Sequence, residues 1–328
     1  MDEFHLPRGY KDLLALLYRD QQGTLLSGDR FDIPRGVKQG DVLSPLLFNA
    51  ALDVALRRWT AQLQTQGIEL NSAEFLTHVC FADDLIVYAR DSKDLIYMVD
   101  ALTAELARVG LVFNAKKCKI MTTEIQYCTS ETPSYIDLDA GFVEVLRLMD
   151  THKYLGNAFP GNLRNRGEVF ISNRLRCAWA KFQEFRASLI DRHVDSKLRL
   201  RLFKSVVTPS ALYGLTTAPL TKKLFDKLDV AQRRMLRMIV GPVGVINDDW
   251  ADMHRRMNKK IEAAITREAV PVWSELLHEC KQALHEKICS GNCSSLVTSV
   301  IAWSKTGQRR SGRPCTSWDQ YVDSAVIK

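Results

Sequence analysis

Two adjacent carboxylates, Asp83 and Asp84, lie between two β-forming runs, and this junction constrains the fold more than any other stretch of the chain. Phe75, Leu76, Thr77, His78, Val79, Cys80 and Phe81 are β-branched and aromatic enough for a strand, as are Leu85-Ile86-Val87-Tyr88-Ala89 for another. Only Ala82, Asp83 and Asp84 separate them, so the spacing predicts a tight hairpin with both acids at its turn. Neighbouring side chains on a strand face opposite ways, but a turn relaxes that rule and brings the carboxylates towards one side. Like charges so close repel unless a cation sits between them. Mg²⁺ suits such a place, because it takes one or two carboxylates and completes its octahedron with water and phosphate oxygens. The matching chemistry is in-line displacement at phosphorus with two metal ions. Taken alone, Asp-Asp is also ordinary turn composition.

A second motif lies upstream. Tyr10 to Tyr18 has the apolar spacing of a helix, and a strand-like segment runs from Gly23 to Ile33. Then comes Arg35-Gly36-Val37-Lys38-Gln39-Gly40-Asp41-Val42-Leu43-Ser44-Pro45-Leu46-Leu47-Phe48-Asn49. Gly36 and Gly40 allow a loop whose backbone approaches a ligand closely, with the Lys38 cation and the Gln39 amide between them. Ser44 is a good N-cap and Pro45 a good first helical residue. The helix they open carries Leu47, Ala51, Val54, Ala55 and Trp59 on one apolar face towards Leu63. A glycine loop before a core helix accounts for the caps but not for the full string.

Gly-Val-Lys-Gln-Gly-Asp-Val-Leu-Ser-Pro-Leu-Leu-Phe followed by Phe-Ala-Asp-Asp resembles the reverse transcriptases of non-LTR (LINE-type) retrotransposons. The resemblance implies an α+β fold. A partial right-hand polymerase palm, an antiparallel sheet with helices, would be followed by a helical thumb and a helical C-terminal region. It makes Asp83 and Asp84 the catalytic, metal-binding carboxylates for Mg²⁺ (or Mn²⁺), and sets Lys38, Gln39 and Gly40 against template-primer and nucleotide. The implied partners are an RNA template, a DNA primer and dNTP substrates. Further on, Ser92 reads as the cap of a helix in which Leu95, Val99, Leu102, Leu106 and Val109 share a face and Gly110 terminates. Gly110-Leu111-Val112-Phe113-Asn114-Ala115-Lys116-Lys117-Cys118 resembles the family's next motif, with Lys117 on its catalytic lysine. A cation there would neutralise or protonate the departing pyrophosphate; solvation of a strand edge by Lys116, Lys117 and Lys119 is the alternative. Val143 to Leu148 reads as a strand, and Lys153-Tyr154-Leu155-Gly156 resembles the hairpin that closes the palm and holds the primer end, a plain hairpin with a turn glycine being the alternative.

From about Arg164 the chain turns to basic helices. Arg174, Arg176, Lys181 and Arg186 populate one stretch. Lys197, Arg199, Arg201 and Lys204 populate the next, with Leu198, Leu202, Val206 and Val207 as its apolar side. Such cations suit a thumb that grips a duplex backbone without reading sequence, and equally the solvated face of a bundle. Pro209 to Gly214 and Ala231 to Gly241 resemble the family's post-palm region. The expected division is palm over 1–160, thumb-like helices over 161–245 and a basic helical region with a tail over 246–328. In the last of these, Asp248-Asp249-Trp250 reads as a loop into a helix. His278, Cys280, His285, Cys289 and Cys293 form a Cys/His group without the usual Cys-x2-Cys opening of a zinc site. Arg309-Arg310-Ser311-Gly312-Arg313-Pro314 with Trp318 is a cationic tail with an aromatic anchor.

A formal charge of +7 points weakly to an anionic partner. Eight scattered cysteines and the lack of a basic-then-apolar start at Met1 favour a nuclear or cytoplasmic protein that is not secreted. No apolar run reaches transmembrane length, so no membrane partner is expected. A two-metal palm also needs a third carboxylate, from an upstream strand patterned like Asp-x-x-x-Ala-Phe-Asp. Before Tyr10 the only acids are Asp2 and Glu3. The expectation is therefore the C-terminal part of an RNA-directed DNA polymerase, inactive by itself. The alternative is a non-catalytic relic or basic nucleic-acid-binding module.

Overall fold

The computed structural model describes residues 2–33, 35–71, 74–123, 132–241, 249–291 and 294–306. These form an α+β structure of four two-stranded sheets and one three-stranded sheet among many helices, divided into two compact units. Met1–Cys118 with Tyr135–Val143 form one; Lys119–Ser134 with Glu144–Lys328 form the other. No helix among the described residues is long and apolar enough to cross a membrane.

The first unit is built around two helices, Ser44–Gln62 and Ser92–Arg108. Leu52, Ala55, Leu56 and Trp59 of one bury against Met98, Leu102 and Leu106 of the other. The buried stripe of the first helix is thus centred on Leu52 and Leu56; Ala51 and Val54, expected on it, are only half-buried. Trp59 satisfies its indole N–H on the Met98 carbonyl at 2.8 Å, which removes the cost of burying that donor. Ser44 is not the N-cap. It lies inside the helix, Leu43 is the cap residue, and the Ser44 hydroxyl donates to the Lys38 carbonyl at 2.6 Å. Asp91, not Ser92, caps the second helix, accepting from the Asp94 N–H at 2.9 Å. At its other end Gly110 takes φ 79° and the Leu111 N–H returns to the Leu106 carbonyl, a Schellman closure that needs the glycine.

The strand expected over Phe75–Phe81 is split. Glu74–Leu76 pairs with Ile68–Asn71, whereas His78–Phe81 pairs with Asp84–Val87. The Thr77 carbonyl accepts from the Tyr88 N–H at 2.8 Å at this break, where the chain exchanges one partner strand for the next. The segment from Gly23 to Ile33 is likewise a hairpin, Gln22–Thr24 with Arg30–Asp32.

The second unit is mostly helical. Its core gathers Ile171, Phe182, Leu200, Phe203, Leu228, Met235 and Trp273 from Arg166–Glu184, Ser196–Val207, Lys222–Val240 and Trp273–Cys289. Around residue 200 the apolar face differs from the expected one. Leu200, Phe203 and Val207 are buried, and Leu198 is exposed. Two causes are visible. A π-turn at Phe203–Val207 shifts the helical register, and the Arg199 guanidinium turns inward to the carbonyls of Val194 (3.0 Å) and Ile239 (2.5 Å).

Lys281 is buried in the same unit, donating to the carbonyls of Thr216 (3.0 Å) and Ala218 (2.7 Å). Burial lowers its pKa to about 8, against 10.5 for an exposed lysine. Below pH 8 folded and unfolded chains both carry the proton, and the buried charge is a constant cost. Between 8 and 10.5 the folded chain releases a proton that the unfolded chain still holds, so stability rises with pH. Relative to Lys281→Met, the native protein is expected to gain about 2 kcal/mol between pH 7.5 and 10 in urea unfolding. Parallel pH profiles for the two proteins would refute this account.

Candidate active site

The hairpin His78–Phe81/Asp84–Val87 closes in two residues, because Phe81 pairs directly with Asp84. The turn is therefore Ala82-Asp83, one residue shorter than the sequence spacing indicates, and Asp84 opens the second strand. Ala82 makes the reversal possible by adopting φ 52°, a left-handed conformation uncommon for a residue with a Cβ. Such strain is held only where the surroundings over-determine it, which marks this turn as a place where geometry matters.

Register fixes the two faces of the hairpin. His78, Cys80, Leu85 and Val87 share one face, and Val79, Phe81, Ile86 and Asp84 the other. The first face is held by the core: Leu85 and Val87 pack on the two helices, and the His78 ring meets Trp59 edge-on at 5.2 Å. Burial lowers the His78 pKa, so at neutral pH the ring packs there without charge. The second face is open, with Phe81 65% and Val79 40% exposed. Asp83 and Asp84 stand exposed at the tip.

The Cys80 thiol is pushed up by burial, then by Asp83 and by Asp84, and donates to the Ala82 carbonyl at 3.2 Å. Both carboxylates therefore lie within electrostatic reach of one sulfur, so their negative fields overlap at the end of the hairpin. Oxygen donors of this kind fit a hard divalent cation such as Mg²⁺. Among the described residues no group of three or more His, Cys, Asp or Glu side chains is placed to hold a metal.

The Lys38–Gly40 loop is exposed and anchored from behind. Besides the Ser44 bond, the Asp41 N–H returns to the Lys38 carbonyl at 3.2 Å and the Tyr18 hydroxyl holds the Asp41 carboxylate at 2.9 Å. Gly40 takes φ 92°, and a Cβ there would meet nothing within 4 Å, so backbone conformation alone requires glycine. A cleft of about 370 Å³ runs between the following helix and the carboxylate hairpin, lined by Asn49, Asp53, Arg57, His78, Cys80 and Ala82 among others. It sets the early turns of that helix beside the Ala82 turn. Lys117 lies on a 3₁₀ turn, Ala115–Lys117, with an exposed side chain, rather than on a strand. The Asn114 side chain holds that turn by accepting from the Lys117 N–H at 3.3 Å. Lys119 is the residue on a strand, and it pairs with Glu144.

Tyr154, Leu155 and Gly156 belong to the second unit. Tyr154 pairs with Asn157 across the hairpin Thr151–Tyr154/Asn157–Pro160, leaving Leu155 (φ 45°) and Gly156 (φ 78°) as a two-residue turn with both φ positive. Its support comes from a residue that spacing assigns to a solvated helix face. Arg174 donates to the Gly156 carbonyl at 2.5 Å, while its guanidinium lies over the Tyr213 ring, 5.5 Å from the centroid. Arg174 therefore braces this turn instead of facing solvent. A Cβ on Gly156 would come within 3.1 Å of Tyr213 Cε1. Gly156→Ala is expected to lower stability by about 1–2 kcal/mol, read as a lower urea midpoint at unchanged slope.

In the Cys/His group, His285 and Cys289 are neighbours on the Trp273–Cys289 helix, Sγ lying 3.7 Å from Nε2. His278 and Cys280 do not join them in a metal-holding cluster, while Cys293 and the tail from Arg309 to Trp318 lie outside the described residues, as does Asp248. Asp249 precedes the helix Trp250–Arg267 as its N-cap residue.

Residues 3–157 match the reverse transcriptase (RNA-dependent DNA polymerase) family. The chain is 34% identical over 231 residues to the Pol polyprotein of retrotransposable element R2DM of Drosophila melanogaster, covering 68% of this chain and 19% of that protein. It is 25% identical over 246 residues to an R2 Pol polyprotein of Popillia japonica, covering 73% of this chain and 38% of that one. A transposon-derived protein of Caenorhabditis elegans is 27% identical over 180 residues, 55% of this chain and 62% of that protein. The chain thus spans about a fifth to two-fifths of the first two relatives.

Proposed function

This chain belongs, through residues 3–157, with the reverse transcriptases of LINE-type, non-LTR retrotransposons, and we propose that its carboxylate hairpin serves RNA-directed DNA synthesis. The observation that carries the proposal is the strained Ala82 turn, which presents Asp83 and Asp84 together at an exposed tip in front of a rigid helical core. In this reading the first unit is part of a polymerase palm and the helices of the second unit supply the thumb. An RNA template and a DNA primer lie over the open face of Phe81 and Asp84, and dNTPs are the substrates.

Asp83 and Asp84 would hold Mg²⁺ (or Mn²⁺). Metal held there would supply a lowered pKa to the attacking hydroxyl and charge stabilisation to the transferring phosphoryl group. The chain's own contribution is placement. Trp59 and His78 fix the back of the hairpin, and the anchored loop offers the Lys38 cation and the Gln39 amide to the nucleotide and the paired strands. The Lys117 ammonium is presented to the leaving pyrophosphate, and the Tyr154-Leu155-Gly156 turn, stiffened by Arg174, supports the primer end.

Among the described residues no third His, Cys, Asp or Glu joins this pair, and a two-metal centre uses more than two carboxylates, so the chain by itself is expected to bind without turnover. The test is a chimera in which this chain replaces the matching stretch of the Drosophila polyprotein. The chain alone is expected to bind an RNA-template/DNA-primer duplex without extending it, and the chimera to extend it with Mg²⁺. A chimera that folds and binds but never extends would remove the polymerase reading. Extension by the chain alone would remove the incompleteness.

A further inference from the structure

The second unit sorts the basic residues of its helices into two kinds. Arg174 and Arg199 point inward and serve backbone carbonyls. Arg176 is exposed and Lys181 half-buried on Arg166–Glu184, and both are occupied locally, by Asn173 (3.0 Å) and Glu184 (2.8 Å). Lys197 and Arg201 do neither, and Lys204 gives a single bond to a carbonyl and stays exposed. At spacings of four and three residues the three line up on one side of the Ser196–Val207 helical run and converge on a cleft of about 230 Å³. Leu200 forms an apolar part of its wall and Glu268 closes it.

The electrostatics of this cleft favour an anion. Glu268 is neutralised by Arg267, whose Nε donates to it at 2.8 Å while Nη2 reaches the Ser196 hydroxyl at 3.1 Å. Lys204 gives one of its three ammonium protons to the Ala269 carbonyl at 3.2 Å and keeps two for a ligand. Ala269 itself is held at φ 48°, a strained conformation at the rim of the cleft. The π-turn at Phe203–Val207 begins one residue before Lys204 and alters its direction from that of a regular helix; such turns recur at functional sites. An arginine offers a planar fork to phosphate oxygens and a lysine offers a mobile point charge, so the trio supplies donors to the oxygens of a phosphodiester.

We propose that Lys197, Arg201 and Lys204 form a phosphate-binding cleft that seats one backbone phosphodiester of a bound nucleic acid. The site lies outside the residues 3–157 that match the polymerase family. It rests on the nucleic-acid reading above.

The test is fluorescence-anisotropy titration of the full chain with a labelled 25-nucleotide single-stranded RNA and with an RNA/DNA duplex, at several salt concentrations. The triple variant Lys197→Gln/Arg201→Gln/Lys204→Gln is expected to bind about tenfold more weakly at 100 mM salt, for all sequences alike, with the log–log salt slope reduced by about one. Lys197→Arg/Lys204→Arg should retain most of the affinity, and Arg8→Gln/Lys93→Gln, which removes two exposed cations elsewhere, should leave it unchanged. A triple variant with a native melting curve but the wild-type affinity and slope would overturn the proposal while leaving the polymerase reading intact. Failure of the wild-type chain to bind either probe would overturn both. Competition by polyglutamate as effective as by RNA of equal charge would also overturn it, making the cleft a site for acidic peptide.

Discussion

Asp83→Asn, introduced into the active chimera, is expected to abolish primer extension, with a loss on the order of a thousandfold or more. The substitution keeps size, hydrogen-bonding capacity and turn preference, and the residue is exposed at the hairpin tip. Folding should therefore change by no more than about 0.5 kcal/mol, so lost activity reports on charge. A second readout does not depend on catalysis. Burial, Asp83 and Asp84 together hold the Cys80 thiol above its usual range, and removing one carboxylate removes one of those causes. The alkylation rate of Cys80 against pH should then shift to lower pH in Asp83→Asn. Asp84→Asn should do the same, with an equal collapse of extension. A chimera that still copies RNA with Asn at 83 would take that carboxylate out of the chemistry, whatever Cys80 does.

The carboxylate hairpin is legible in the sequence because its signals are local. Two β-rich runs around Ala-Asp-Asp leave few alternatives to a tight turn. What local pattern could not give was the turn's size. That depended on Ala82 accepting a positive φ, which propensity disfavours. The helix after the glycine loop was legible too, yet Ser44 read as its cap. The same hydroxyl that caps well also holds a carbonyl six residues back, and only the folded loop shows which bond forms. The basic helices were hardest. Arg174, Arg199 and Lys204 look alike along the chain, and periodicity assigns all of them to solvent. Their actual duties depend on carbonyls 18, 40 and 65 residues away. Long-range partners of that kind leave no trace in spacing, and the π-turn that rotates the helix face has no clear sequence mark.

Those long-range partners also locate the second unit's weakest substitution point, Trp273, where the largest loss of stability is expected. Its side chain is fully buried, stacks on Phe203 with ring centroids 5.9 Å apart and planes 5° from parallel, and donates from Nε1 to the Thr208 hydroxyl at 3.0 Å. It is also the first residue of the Trp273–Cys289 helix, whose own cap residue, Val272, offers no side-chain acceptor. The helix Lys222–Val240 supplies the missing acceptors: Gln232 takes the Trp273 N–H at 3.0 Å, and Asp229 takes the Ser274 N–H at 3.0 Å and its hydroxyl at 2.6 Å. The Asp229 carboxylate thereby also meets the positive end of the helix. Trp273→Ala opens a cavity beside Phe203 and strands the Thr208 hydroxyl, for a loss of about 3–5 kcal/mol. Trp273→Phe retains the stacking and loses the hydrogen bond, so it should cost about 1–2 kcal/mol. Urea unfolding followed by far-UV circular dichroism separates the two. If the alanine variant unfolded within about 1 kcal/mol of the native chain, Trp273 would be surface packing, and the contact joining Ser196–Val207 to Trp273–Cys289 would not stabilise the unit.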